Sequence, residues 1–105
     1  INVQPGAGTL QAALYAASPG DELVLADGTY TGSDTSQVGS NMLYINKDIT
    51  IRALNAGQAI LTGQNARRVI YIDIGNVVLD GLHITGGQST IGGGVFIHGG
   101  TTTMR

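Results

Sequence analysis

The chain has no cysteine and no tryptophan, two prolines, and only 11% charged residues. Without cysteine there is no disulfide framework, no thiolate nucleophile and no thiolate zinc site. The net charge of −2 leaves no basic face, which excludes nucleic acid and anionic membrane surfaces as partners. No apolar run nears the ~20 residues needed to span a bilayer, so membrane insertion is excluded too. The glycine clusters are not followed by Lys-Ser or Lys-Thr and form no phosphate loop. Histidines and carboxylates do not converge in number, so no metal and no other cofactor is expected. A surface this poor in charge must be built from Thr, Ser, Asn, Gln and Gly, as in stacked β-coils.

What is present is a repeat. Tyr30-Thr31-Gly32, Leu61-Thr62-Gly63 and Ile84-Thr85-Gly86 end alike. A second set comprises Leu23-Val24-Leu25, Ile49-Thr50-Ile51-Arg52 and Val77-Val78-Leu79-Asp80, with steps of 26 and 28 residues between starts. A third set, Leu43-Tyr44-Ile45, Ile70-Tyr71-Ile72 and Val95-Phe96-Ile97, steps by 27 and 25. Three strand types recurring in fixed order describe a coil with three strands per turn. Period-2 alternation sends each strand's apolar residues to one side, the inside of the coil. The expectation is one all-β domain over residues 1–105, a right-handed parallel β-helix of about three turns with a capping helix. The turns fall at about 22–48, 49–76 and 77–100, and residues 101–105 begin a fourth.

In chain order, Ile1–Gln4 reads as an extended lead-in and Pro5–Gly8 as a turn cluster, with Thr9 as helix N-cap. Leu10, Ala13, Leu14 and Ala17 make one apolar stripe on a helix over about 9–18, stopped by Pro19-Gly20. So short a helix does not persist alone and is expected as a lid over the first coil. Polar stretches at Ser33–Met42, Gln64–Arg68 and Gly86–Gly94 are expected as loops between strands. Asp27, Asp48 and Asp80 are read as corner or strand-end residues bonding nearby backbone.

Thr9-Leu10-Gln11-Ala12-Ala13-Leu14, then Pro19-Gly20-Asp21-Glu22-Leu23-Val24-Leu25, then Asp27-Gly28-Thr29-Tyr30 resemble the N-terminal start of the pectin-lyase-like right-handed β-helix superfamily. The resemblance implies the fold. It leaves activity open, because the superfamily includes lyases, hydrolases, epimerases and adhesins. Gly92-Gly93-Gly94-Val95-Phe96-Ile97 is similar, over that one segment, to a repeat of polymorphic outer-membrane proteins and related adhesins.

Candidate chemistry lies in the outward columns. Tyr44, Tyr71 and Phe96 should stack on the outer surface, either stiffening the coil or forming a carbohydrate-binding strip. The neighbouring column Asn46, Asp73, His98 places Asp73 beside His98, as an acid–base pair, half a metal site or a solvated ion pair. Arg52 and Asp80, one turn apart, form an alternative acid/base face, because pectate lyases of the resembled superfamily set acidic calcium ligands beside a basic residue. Arg67 and Arg68 suit acidic sugars, and His83 is a surface histidine. No residue is assigned a catalytic role.

The function expected first is a non-catalytic secreted or cell-surface module, a rigid scaffold for adhesion, self-association or weak carbohydrate binding. The alternative is the N-terminal segment of a polysaccharide lyase or hydrolase whose catalytic residues lie in later turns. A start at Ile1 fits a removed secretory signal or a fragment equally. A polysaccharide is the expected partner. A homo-oligomer is expected through the open C-terminal end of the coil, where unpaired strand edges invite association.

Overall fold

Apolar residues at alternate positions, separated by Gly-, Asn- and Asp-rich corners, force the backbone into short strands that must find partners one coil away. The computed structural model describes residues 1–32, 41–87 and 94–105, and it has this architecture. The elements are β1 (Asn2–Val3), β2 (Gly6–Ala7), α1 (Thr9–Ala16), β3 (Glu22–Leu25), β4 (Gly28–Thr31) and β5 (Asn41–Ile45). They continue as β6 (Ile49–Ala53), β7 (Ala59–Ile72), β8 (Asn76–Asp80), β9 (Leu82–Gly87), β10 (Val95–Ile97) and β11 (Thr101–Met104). Every pairing is parallel. The first sheet runs β1-β3-β6-β8-β11, the second β2-β4-β7-β9 and the third β5-β7-β10. The chain is therefore a parallel β-helix of about four turns with one short helix.

The register follows the repeat. Val24 lies opposite Arg52 and Arg52 opposite Asp80, while Tyr44 lies opposite Tyr71 and Tyr71 opposite Phe96. Leu23, Leu25, Ile51, Ile72 and Leu79 are buried in one continuous core, joined by Leu10 and Leu14 from the helix. Inward side chains one coil apart touch because neighbouring strands lie ~4.8 Å apart. Corners are tight enough to need glycine. A Cβ on Gly75, whose φ is +114°, would sit 2.5 Å from the Lys47 carbonyl of the coil before. Gly100, at φ +80°, meets Gly75 in the same way.

Several expectations are corrected. Ile1–Gln4 is more than a lead-in: Asn2 and Val3 pair with Val24 and Leu25, and Gly6 and Ala7 pair with Tyr30 and Thr31. These two strands begin a coil of their own, which raises the count from three turns to about four. The helix spans Thr9–Ala16, and its N-cap is Gly8 in the left-handed conformation, not Thr9. The Thr9 hydroxyl instead donates to the Gln4 carbonyl at 2.8 Å. Gln64–Arg68 is no separate loop. It is a bend inside β7, made by Gln64 and Asn65 at φ 57° and 56°, and the strand continues on either side into two sheets. Of the other expected loops, residues 33–40 and 88–93 lie outside the described residues.

Helix α1 follows β2, where the third-sheet strand of that first coil would come, and Gln11 substitutes for the missing strand. The Tyr44 N–H donates to Gln11 Oε1 at 2.7 Å, and Gln11 Nε2 donates to the Tyr44 carbonyl at 3.1 Å. A side-chain amide offers one donor and one acceptor, as a peptide group does, so it closes the β5 edge. Lys47 Nζ donates to the carbonyls of Leu14 and Ala17 at 2.8 and 2.9 Å, a cation on the helix C-terminus. Tyr30, fully buried, donates its hydroxyl to the Ala26 and Val3 carbonyls at 2.7 and 3.0 Å, joining β4 to the first coil.

Candidate functional site

The third sheet brings the outward candidates together. Its strands hold Tyr44, Tyr71 and Phe96 in register, with ring centroids 5.8 Å apart for the first pair and 5.2 Å for the second. Successive coils place identical positions side by side, so like rings stack without further help. The rings stand apart from the core cluster, as an outward column should. They are not a free surface, however. Tyr44 is 7% exposed and Tyr71 6%, which corrects the expectation of an open aromatic strip. Part of the cover is Arg68, whose guanidinium carbon lies 5.5 Å from the Tyr71 ring centre and 5.1 Å from that of Phe96.

Arg68 is itself buried, and its Nη1 donates to Asn41 Oδ1 at 3.2 Å. Asn41, fully buried, leaves its Nδ2 without a hydrogen-bond partner. Asn41 did not stand out in the sequence, although a signal existed. The step of 27 residues that sets Tyr44 against Tyr71 also sets Asn41 against Arg68. Arg67, half-buried, donates to the Gln64 side chain at 3.2 Å and to the Gly63 carbonyl at 3.4 Å, so the two arginines do not act together.

At the end of the same strands Asp73 joins two coils. Its Oδ1 lies 3.0 Å from His98 Nδ1, and its Oδ2 accepts the Tyr44 hydroxyl at 2.7 Å. The His98 ring also lies over Tyr71, 6.2 Å between centroids and 21° from parallel. Asn46, assigned to this column by spacing, is exposed and takes no part in the bridge. Of the readings left open for the pair, an acid–base arrangement and a surface ion pair both fit this geometry. Half a metal site finds no further ligand, since no group of three metal-ligating side chains exists among the described residues.

The alternative face behaves differently. Arg52 and Asp80 are adjacent in register, yet Arg52 Nε pairs with Glu22 Oε2 at 3.3 Å in the preceding coil. Both partners are well exposed, so the pair adds little. Of the corner carboxylates, Asp48 bonds nearby backbone as expected, accepting from the Asn76 N–H of the next coil at 2.8 Å, whereas Asp27 accepts from the Asn55 side chain, Nδ2, at 3.0 and 3.2 Å. His83 is exposed on β9. No helix among the described residues is long and apolar enough to cross a membrane.

No protein-family model and no curated protein matches the chain. Among solved structures it is similar to the PL6-family alginate lyase AlyGC, solved as an arginine-to-alanine mutant. The two are 38% identical with a TM-score of 0.62, over 78% of this chain and 10% of that one. The chain thus spans about a tenth of the length of the enzyme it matches.

Proposed function

We propose that residues 1–105 are the capped first coils of a polysaccharide lyase acting on an acidic uronate polymer such as alginate. The observation that carries this reading is the 38% identity to an alginate lyase across 78% of the chain. In such a protein these coils supply a closed end and a rigid register on which further coils stack. The eliminating residues then lie outside the set described here. A lyase removes the proton next to the uronate carboxyl and expels the glycosidic oxygen, leaving an unsaturated sugar end. The test is to express the whole reading frame and follow the ultraviolet absorbance of unsaturated ends on alginate and pectate. The expected result is product from a uronate polymer, together with further apolar-strand repeats after residue 105. A full-length protein that yields none overturns the reading.

A second reading is a non-catalytic secreted or surface module that self-associates. Light scattering of the chain tests it: a dimer or larger supports self-association, and a monomer at high concentration removes it.

A further inference from the structure

Three consecutive coils each deliver one side chain to a single point on the outer face of the third sheet. Tyr44 lies in β5, Asp73 follows β7, and His98 follows β10. An exposed histidine ordinarily rotates freely, and an exposed ion pair ordinarily has little energetic weight. Here the imidazole is restrained twice, at Nδ1 by Asp73 and on its face by Tyr71, while remaining 62% exposed. Asp73 is restrained in turn by the Tyr44 hydroxyl. The ring edge carrying Nε2 makes no hydrogen bond among the described residues.

We propose that this edge is a binding subsite for one uronate unit of an acidic polysaccharide. The proposal rests on the lyase reading for the class of polymer and adds a contact point that needs no catalytic role. With the Nδ1 proton donated to Asp73, the neutral ring accepts from a sugar hydroxyl at Nε2. The protonated ring instead donates from Nε2 to a carboxylate. A uronate unit presents both groups, so it is complementary to either form. The Arg68 guanidinium over Tyr71 and Phe96 puts a positive charge on the same aromatic column that His98 stacks against. Because the ring is already held, binding does not have to order it.

The experiment titrates the chain with an alginate trisaccharide and, separately, a neutral cellulose trisaccharide, and follows the histidine ring nitrogens by NMR. His98→Ala and Asp73→Asn are the variants, with circular dichroism to confirm that both keep the coil. The expected result is movement of the His98 signals with the uronate trimer, with His83 still. Affinity should fall about fivefold in His98→Ala, the loss of one hydrogen bond. The subsite is overturned if the His98 signals stay still, or if His98→Ala binds the uronate trimer as tightly as the parent. Equal binding of the neutral trimer overturns the assignment to an acidic sugar. Uronate cleavage by the whole protein with an unmoved His98 sinks the subsite alone. Movement of His98 without cleavage by the whole protein supports the subsite and sinks only the lyase reading.

Discussion

The first coil and the coils stacked on it close their strand edges in different ways. At the first coil, the edge of β5 is closed by the Gln11 amide, the helix C-terminus by Lys47, and the apolar interior by Leu10 and Leu14. In the interior coils each strand is closed by backbone pairing on both sides, as β6 is between β3 and β8. The core residues Leu23, Ile51 and Leu79 are equally buried, so the core does not distinguish the coils. The difference lies in polar groups aimed at strand edges. A stacked coil buries its middle automatically, whereas its capped start needs dedicated side chains.

The sharpest way to break the contrast is to loosen the lid. Leu14→Ala should lower stability by about 2–5 kcal/mol, as for other fully buried leucines. The matched truncation Leu54→Ala, at an exposed leucine of an interior coil, should change it by less than about 0.5 kcal/mol. Urea denaturation of both variants checks this, and equal losses would mean that the lid is no more firmly held than the surface.

Next in size is the edge itself. Gln11→Ala removes the amide that bonds the Tyr44 N–H and carbonyl and should cost about 1–3 kcal/mol. Hydrogen exchange at the Tyr44 amide should speed up well beyond that of Ile45.

Tyr30 sharpens the comparison through pH. Burial first, and the Asp27 charge second, raise its phenol above the ordinary tyrosine value. The folded chain therefore keeps the proton where the unfolded chain has lost it. The resulting stability is whole below the unfolded value of about 10 and drains away as pH climbs toward the higher folded value. Tyr30→Phe should cost about 1–2 kcal/mol at neutral pH and flatten that alkaline loss. Thermal melts between neutral and strongly alkaline pH measure both. The smallest effect belongs to the exposed Arg52–Glu22 pair, where Glu22→Gln should stay within about 0.5 kcal/mol.

How much of this was legible beforehand depends on whether a partner sits one repeat away. Tyr44, Tyr71 and Phe96, and the Asp73–His98 neighbours, follow from a step of 25 to 27 residues, and the buried column through Leu23, Ile51 and Leu79 from a step of 28. Partners off that step were not legible. The same register that puts Arg52 beside Asp80 also permits a diagonal reach to Glu22, and side-chain length decides between them. The tyrosine faces looked open because alternation states which way a ring points and nothing about what lies over it.

By itself the sequence determined the repeat, the three strands per turn, the inward column and the presence of a helical lid. Each follows from spacing and alternation, which are local properties of the chain. Only the tertiary structure decided that Asn2–Val3 and Gly6–Ala7 start a further coil, that Gln11 stands in for a strand, and that Arg68 lies over the aromatic column. Those outcomes hinge on which backbone and ring surfaces are left unpaired once the coils have stacked, and no stretch of residues carries that information alone.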